Sequence, residues 1–194
     1  MALNKNTLFP IFLKAEELKI LVVGGGNVAL EKVHALIANS PNAEIKLISP
    51  AVTEELYTLS KTYALKIHVR EFEFSDLDEV DIVIVAINNK TISAQIRSEA
   101  KKRKLLTNVA DTPHLCDFYL SSIVQKGNLK IAISTNGQSP TAAKRIKEIL
   151  NDSIPQEIDD LIENLNKIRN NLKGDFQFKV KELNRITQSL LEKA

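Results

Sequence analysis

The chain is 194 residues long, with 26 Lys+Arg against 24 Asp+Glu and a formal net charge of +2. Its 44% hydrophobic and 26% charged residues exclude global disorder, and the near-balanced charge argues against a general nucleic-acid binder. A single cysteine excludes an intrachain disulfide and a cysteine-rich zinc site, and no apolar run approaches the ~20 residues of a membrane span. The histidines at 34, 68 and 114 lack metal-ligand spacing, so no metal site is expected. Leu8–Leu13 is short, interrupted by Pro10 and followed by charge, which makes it a poor signal core. A cytoplasmic protein with no membrane or nucleic-acid partner is the expectation.

Taken in chain order, Lys19–Val23 is a continuous apolar run closed by three glycines, the pattern of a buried parallel strand. From Val28, apolar residues recur at Ala29, Val33, Leu36 and Ile37, one face of a helix ending near Asn39-Ser40-Pro41. Ala43–Ser49 reads as a second strand stopped by Pro50, and Thr53–Tyr63 as a helix with Thr53 as its N-cap. Further strands are expected at Lys66–Val69, Asp81–Ala86 and Leu105–Val109, with a helix over Lys90–Arg103. Strands separated by helices imply right-handed crossovers and a parallel sheet.

After Asp111-Thr112-Pro113 the pattern changes. Phe118–Val124 and Leu129–Thr135 read as a hairpin across Gln125-Lys126-Gly127-Asn128. Ser139-Pro140 opens a helix, with Ser as N-cap and Pro at its first position. From Gln156 the chain is helical: apolar residues recur at Ile158, Leu161, Leu165, Ile168 and Leu172, break at Gly174, and resume at Val180, Leu183, Ile186 and Leu190. The fold class expected is α/β: an N-terminal Rossmann-like parallel sheet, a small hairpin and helix segment for dimerisation, and a helical C-terminal domain. The boundaries expected are 1–113, 114–150 and 151–194.

Gly24-Gly25-Gly26-Asn27-Val28-Ala29 fits G-x-G-x-x-A at a strand-to-helix junction. Gly24 makes the turn, Gly26 lets a pyrophosphate approach the backbone, and Ala29 permits close helix–strand packing, with the helix N-terminus favouring negative charge. A lone glycine triplet is usually a turn, but this context puts dinucleotide binding first. The ribose-binding acid expected about 20 residues on is missing. Ser49-Pro50-Ala51 stands there, so ribose recognition falls to Ser49 or backbone groups. No Lys or Arg follows within several residues to meet a 2′-phosphate, which tilts the expectation toward NAD.

Asp111, at the carboxyl end of the fifth strand, is placed where open α/β sheets bind ligands. It can act as a general base, particularly if partly buried, or simply cap a turn before Pro113. His114, Cys116 and Asp117 are too close in sequence to converge on one ion without a second segment. They read as loop residues, His114 as a substrate neighbour. Ser134–Pro140, followed by Lys144 and Arg145, offers hydroxyls, a helix start and positive charge for carboxylates; a well-capped surface helix is the even alternative.

These segments together resemble the precorrin-2 dehydrogenase / sirohydrochlorin ferrochelatase family, the N-terminal module of siroheme synthase. The resemblance rests on Phe9-Pro10-Ile11-Phe12-Leu13, Leu21–Ala29 with Lys32, Asn108–Pro113, Cys116-Asp117-Phe118 and Ile131–Pro140, in order over about residues 8–150. It implies NAD-dependent oxidation of precorrin-2 to sirohydrochlorin by a homodimer, with Asp111 as the catalytic carboxylate. It assigns the cofactor to Gly24, Gly25, Gly26, Asn27, Val28, Ser49, Pro50 and Ala51. The tetrapyrrole falls to Asn108, His114, Ser134, Thr135, Ser139, Lys144 and Arg145. A Ser-Pro ending of the second strand is familiar in the family, whereas Leu120 stands where a proline is expected and Asn136 where glycine is frequent. With no methyltransferase-sized domain up to Ala194, the chain is not expected to make precorrin-2 itself. Insertion of Fe²⁺, as a substrate, is left open because members differ. A nucleotide-sensing module without catalysis, or a chelatase alone, are the competing readings.

Overall fold

The computed structural model describes residues 6–188, so Leu190 of the last helical pattern lies outside the described residues. The chain divides into two compact units, residues 1–120 and 121–194. In the first, β1 (Lys19–Val23), β2 (Glu44–Ile48), β3 (Leu65–His68), β4 (Ile82–Val85) and β5 (Leu106–Val109) form one sheet in the order β3-β2-β1-β4-β5. Every pairing is parallel: Val22 lies opposite Leu47 on one side and Ile84 on the other. The helices between them are α1 (Asn27–Asn39), α2 (Glu54–Ser60) and α3 (Lys90–Lys102).

Burial on both faces explains the unbroken apolar strands. Ile20, Val22, Ile45, Leu47 and Ile84 pack with Ala29, Val33 and Ile37 of α1 and with Leu56 of α2. Leu21, Val23, Ile48, Val83, Val85 and Val109 face the opposite layer with Ile96 and Ala100 of α3. The connection from β3 to β4 carries no α-helix, only a 3-10 turn over Phe74–Leu77. Its buried Asp76 accepts two hydrogen bonds from the Arg70 guanidinium (2.7 and 2.6 Å), one from Lys46 Nζ (2.9 Å) and one from the Glu73 N–H (3.0 Å). The Arg70 guanidinium, then the Glu73 N–H and the lysine, hold the Asp76 carboxyl far below the usual carboxylate range, against the opposing effect of burial.

The second unit holds the antiparallel hairpin of β6 (Ser122–Lys126) and β7 (Leu129–Ile133), then α4 (Pro140–Ser153), α5 (Ile158–Asn171) and α6 (Phe176–Thr187). Its turn is the two-residue Gly127-Asn128, where Gly127 takes φ +54°. A Cβ on Gly127 would strike the Asp159 carboxylate of α5, which accepts hydrogen bonds from Asn128 N (2.7 Å) and Nδ2 (2.9 Å). The hairpin's first strand begins four residues later than the apolar pattern suggests. Residues 118–120 belong to the first unit, where Phe118 and Leu120 pack on its core. No helix among the described residues is long and apolar enough to cross a membrane.

Candidate active site

The strand order places a topological switch point at β1 and β4, whose connections leave in opposite directions, so a crevice opens at their carboxyl ends. The glycine triplet sits there, and its three members differ physically. Gly24 adopts φ +122°, and a Cβ on it would collide with the Ala86 carbonyl. A Cβ on Gly25 would collide with the Ala51 carbonyl and meet Ser49 Cβ at 2.9 Å. A Cβ on Gly26 would meet nothing within 4 Å. Gly24 and Gly25 therefore let chain pack on chain, while Gly26 keeps open space above the start of α1.

Gly26 is the N-cap of α1 and offers no side chain to the first-turn N–H groups. Those donors and the helix dipole face that space, which suits a pyrophosphate. Gly26, Asn27 and Val28 are exposed, whereas Ala29 is fully buried against the sheet. The end of β2 is built onto this loop. Ser49 is buried and its hydroxyl donates to the Ala51 carbonyl at 2.7 Å; the Thr53 N–H donates to the Gly25 carbonyl at 3.0 Å. Thr53 takes the expected N-cap position of α2, but its hydroxyl caps nothing and is buried without a partner.

β5 ends next to β4 and delivers Asp111 to the same edge of the sheet. Asp111 is a non-glycine residue at φ +54°, a conformation that costs about 1–2 kcal/mol and persists where the surroundings impose it. Its side chain is exposed rather than partly buried, and no hydrogen bond to it is formed among the described residues. The 3-10 turn Pro113–Leu115 follows, with His114 exposed. Asn108 faces inward: it is 6% exposed, and its Nδ2 donates to the Phe118 carbonyl at 2.8 Å.

Cys116 and Asp117 are more than loop residues, and sequence reasoning missed their part. Cys116 Sγ accepts from Val109 N and donates to Val109 O, both at 3.2 Å. Burial pushes the thiol's pKa up, against the opposing Val109 N–H, so it stays protonated and able to donate. Asp117 accepts from Thr107 N (3.0 Å) and from Arg97 Nη2 of α3 (2.6 Å). An Asp ten residues from a buried strand N–H is the only hint the sequence carries. No group of three or more His, Cys, Asp or Glu among the described residues could hold a metal ion.

In the second unit, Ser139 caps α4, its Oγ accepting from Ala142 N at 3.1 Å as its position before Pro140 suggests. Thr135 Oγ1 accepts from Ser139 N and donates to Ser139 O, both at 3.1 Å, and Ser134 Oγ accepts from Asn136 N at 3.2 Å. Asn136 and Gly137 both adopt positive φ, +54° and +73°. Asparagine is the side chain that tolerates this conformation best, so Asn136 fits where glycine is frequent. Arg145 pairs with Glu148 at 2.6 Å, and Lys144 is exposed.

A five-stranded parallel sheet with a glycine loop at its switch point defines a dinucleotide-binding protein, and the chain belongs to the NAD(P)-binding family whose model matches residues 11–122. Residues 126–153 match the family described as sirohaem biosynthesis protein, central. Among relatives, the chain is 33% identical over 90% of its length to a siroheme synthase of Psychrobacter cryohalolentis, and 34% identical over 87% to that of Pseudoalteromonas atlantica. It spans 32% and 36% of those proteins, about a third of each. Among solved structures it is similar to SirC, a precorrin-2 dehydrogenase, with a TM-score of 0.71 and 25% identity over 92% of this chain and 89% of that one. The α/β class and the recognition made from sequence motifs agree with these likenesses.

Proposed function

We propose that the chain oxidises precorrin-2 to sirohydrochlorin with NAD as hydride acceptor, as a cytoplasmic homodimer. The observation that carries this reading is Asp111, held at positive φ and exposed beside the glycine-loop edge of the sheet. The likeness to SirC and to siroheme synthases supports the substrate. NAD rather than NADP is supported at the end of β2, where Ser49, Pro50 and Ala51 offer no cation, and the nearby Arg70 is committed to Asp76.

Bound NAD would supply the hydride acceptor, across Gly24–Val28 with Ser49–Ala51 beside the ribose. Asp111 takes the proton the macrocycle loses as hydride leaves, and His114 flanks it. Asn108, expected from the sequence to contact substrate, is buried with its amide donated to the Phe118 carbonyl, so its part is to support the loop that carries them. In the second unit, the Ser134, Thr135 and Ser139 loop with Lys144 and Arg145 offers partners for substrate carboxylates. The roles proposed are nucleotide binding for 1–113, dimerisation for 114–150 and a helical domain for 151–194, with 114–120 packed in the first unit. Insertion of Fe²⁺ into sirohydrochlorin is tested separately, by metal uptake with NAD omitted.

Anaerobic incubation with precorrin-2 and NAD⁺ should generate NADH, and Asp111→Ala should lose about 10²–10⁴-fold in rate while still binding NAD. A folded wild-type chain that binds NAD but yields no NADH is a sensor, and the proposal fails. Wild-type turnover by Asp111→Ala would return the aspartate to the role of a turn residue.

A further inference from the structure

The segment from 107 to 118 is a closed loop fastened rung by rung. Thr107 and Asp117 are joined twice: Asp117 N donates to Thr107 O at 2.7 Å, and Thr107 N donates to the Asp117 carboxylate at 3.0 Å. Asn108 is tied to the Phe118 carbonyl, and Val109 to the Cys116 thiol through both its N–H and its C=O. Thr107, Asn108 and Val109 are all buried, which shields the strand side of these rungs from competing water, while Asp117 on the other side is exposed. Arg97 of α3, itself mostly buried, pins the other Asp117 oxygen at 2.6 Å. What is left at the tip is Asp111 in its left-handed conformation.

We propose that Arg97, Cys116 and Asp117 are positioning residues that hold the strained Asp111 loop in the orientation proton transfer requires. The inference rests on the reading of Asp111 as the catalytic carboxylate. A tip residue at positive φ relaxes toward ordinary backbone once its loop is loosened, and the carboxylate swings with it. Misplacement by about 1 Å costs on the order of 10²-fold in rate, without loss of the contacts that bind substrate. The effect therefore falls on kcat and not on KM.

The test uses Arg97→Gln and Cys116→Ala, which leave the Thr107–Asp117 rungs in place so that the fold survives, and Arg97→Lys as the conservative rescue. Steady-state NADH production from precorrin-2 should show kcat reduced by about 10²-fold in the first two with KM and NAD affinity near wild type. Arg97→Lys should recover most of the rate. Hydrogen exchange of the Thr112, Leu115 and residue-116 amides, each hydrogen-bonded within the loop, should speed up in Arg97→Gln and Cys116→Ala. Introduced into Asp111→Ala, the same substitutions should cost nothing further, because the group they position is gone.

Unchanged kcat or unchanged exchange in the two variants overturns the proposal, and so does an equal loss in the Asp111→Ala background. Inactive Asp111→Ala with fully active clamp variants overturns the clamp alone. Wild-type turnover by Asp111→Ala overturns the parent reading and this one with it.

Discussion

Replacing Gly26 with valine separates the cofactor's needs from the fold's. At φ −89° and ψ −168°, Gly26 is extended backbone open to any residue, and a Cβ there touches nothing. The fold should lose only the difference between glycine and valine as an N-cap, about 1 kcal/mol. The added isopropyl group fills the space above the first turn of α1 and denies a pyrophosphate its helix N–H partners. Each charge-assisted bond of that kind contributes about 1.5–3 kcal/mol. At 1.4 kcal/mol per tenfold, loss of one to two weakens NAD by roughly 10- to 10⁴-fold. Gly24→Ala and Gly25→Ala are the controls. Both drive a Cβ into a backbone carbonyl, so they should lower the melting temperature before affecting affinity in the folded fraction. Calorimetric titration with NAD beside thermal melts reads both quantities. A folded Gly26→Val protein that binds NAD like wild type refutes the assignment of this loop to the cofactor.

Asp76→Ala should destabilise the first unit by about 3 kcal/mol at neutral pH, the lower end for a broken buried ion pair, because Arg70 and Lys46 can turn to water. Its folded pKa is depressed, so the contribution is complete above the unfolded value near 4 and is lost as pH falls toward the folded one. The gap in urea unfolding between wild type and variant should therefore shrink on acidification, and a pH-independent gap contradicts the network's charge. Among the described residues β6 and β7 form a two-stranded sheet, which is marginal by itself, so a second copy is expected to cover it; sedimentation at micromolar concentration should show a dimer, and a stable monomer refutes this.

The sheet was legible because burial on both faces writes continuous apolar runs. Lys19–Val23 is the strand read from sequence, and Asp81–Ala86 exceeds β4 by one residue at each end. The glycine loop and the location of Asp111 followed from position along those strands. What stayed hidden depends on pairs remote in sequence. Asp76 draws its partners from Lys46, thirty residues away on β2, and Arg70 beyond β3, which no local pattern connects. Arg97 and Asp117 are twenty residues apart, and meet only once α3 lies against β5. The hairpin start was misplaced for a similar reason: the Phe118 carbonyl is taken by Asn108. The left-handed backbone of Asp111 leaves only a weak composition signal: aspartate enters that region more readily than most side chains, but glycine is absent from the turn.

The central position of β1 sets an order on assembly at the ribosome. One edge of β1 finds β2 about 20 residues later, but the other waits for β4, roughly 60 residues further along the chain. At about 5–20 residues per second, that edge of Lys19–Val23 stays bare for about 3–12 s of translation. It is apolar from Ile20 onward, with only Lys19 as a charged guard at its start. The nascent chain therefore passes through a window in which its central strand is its most adhesive one, and chaperone demand should peak between the emergence of β3 and that of β4.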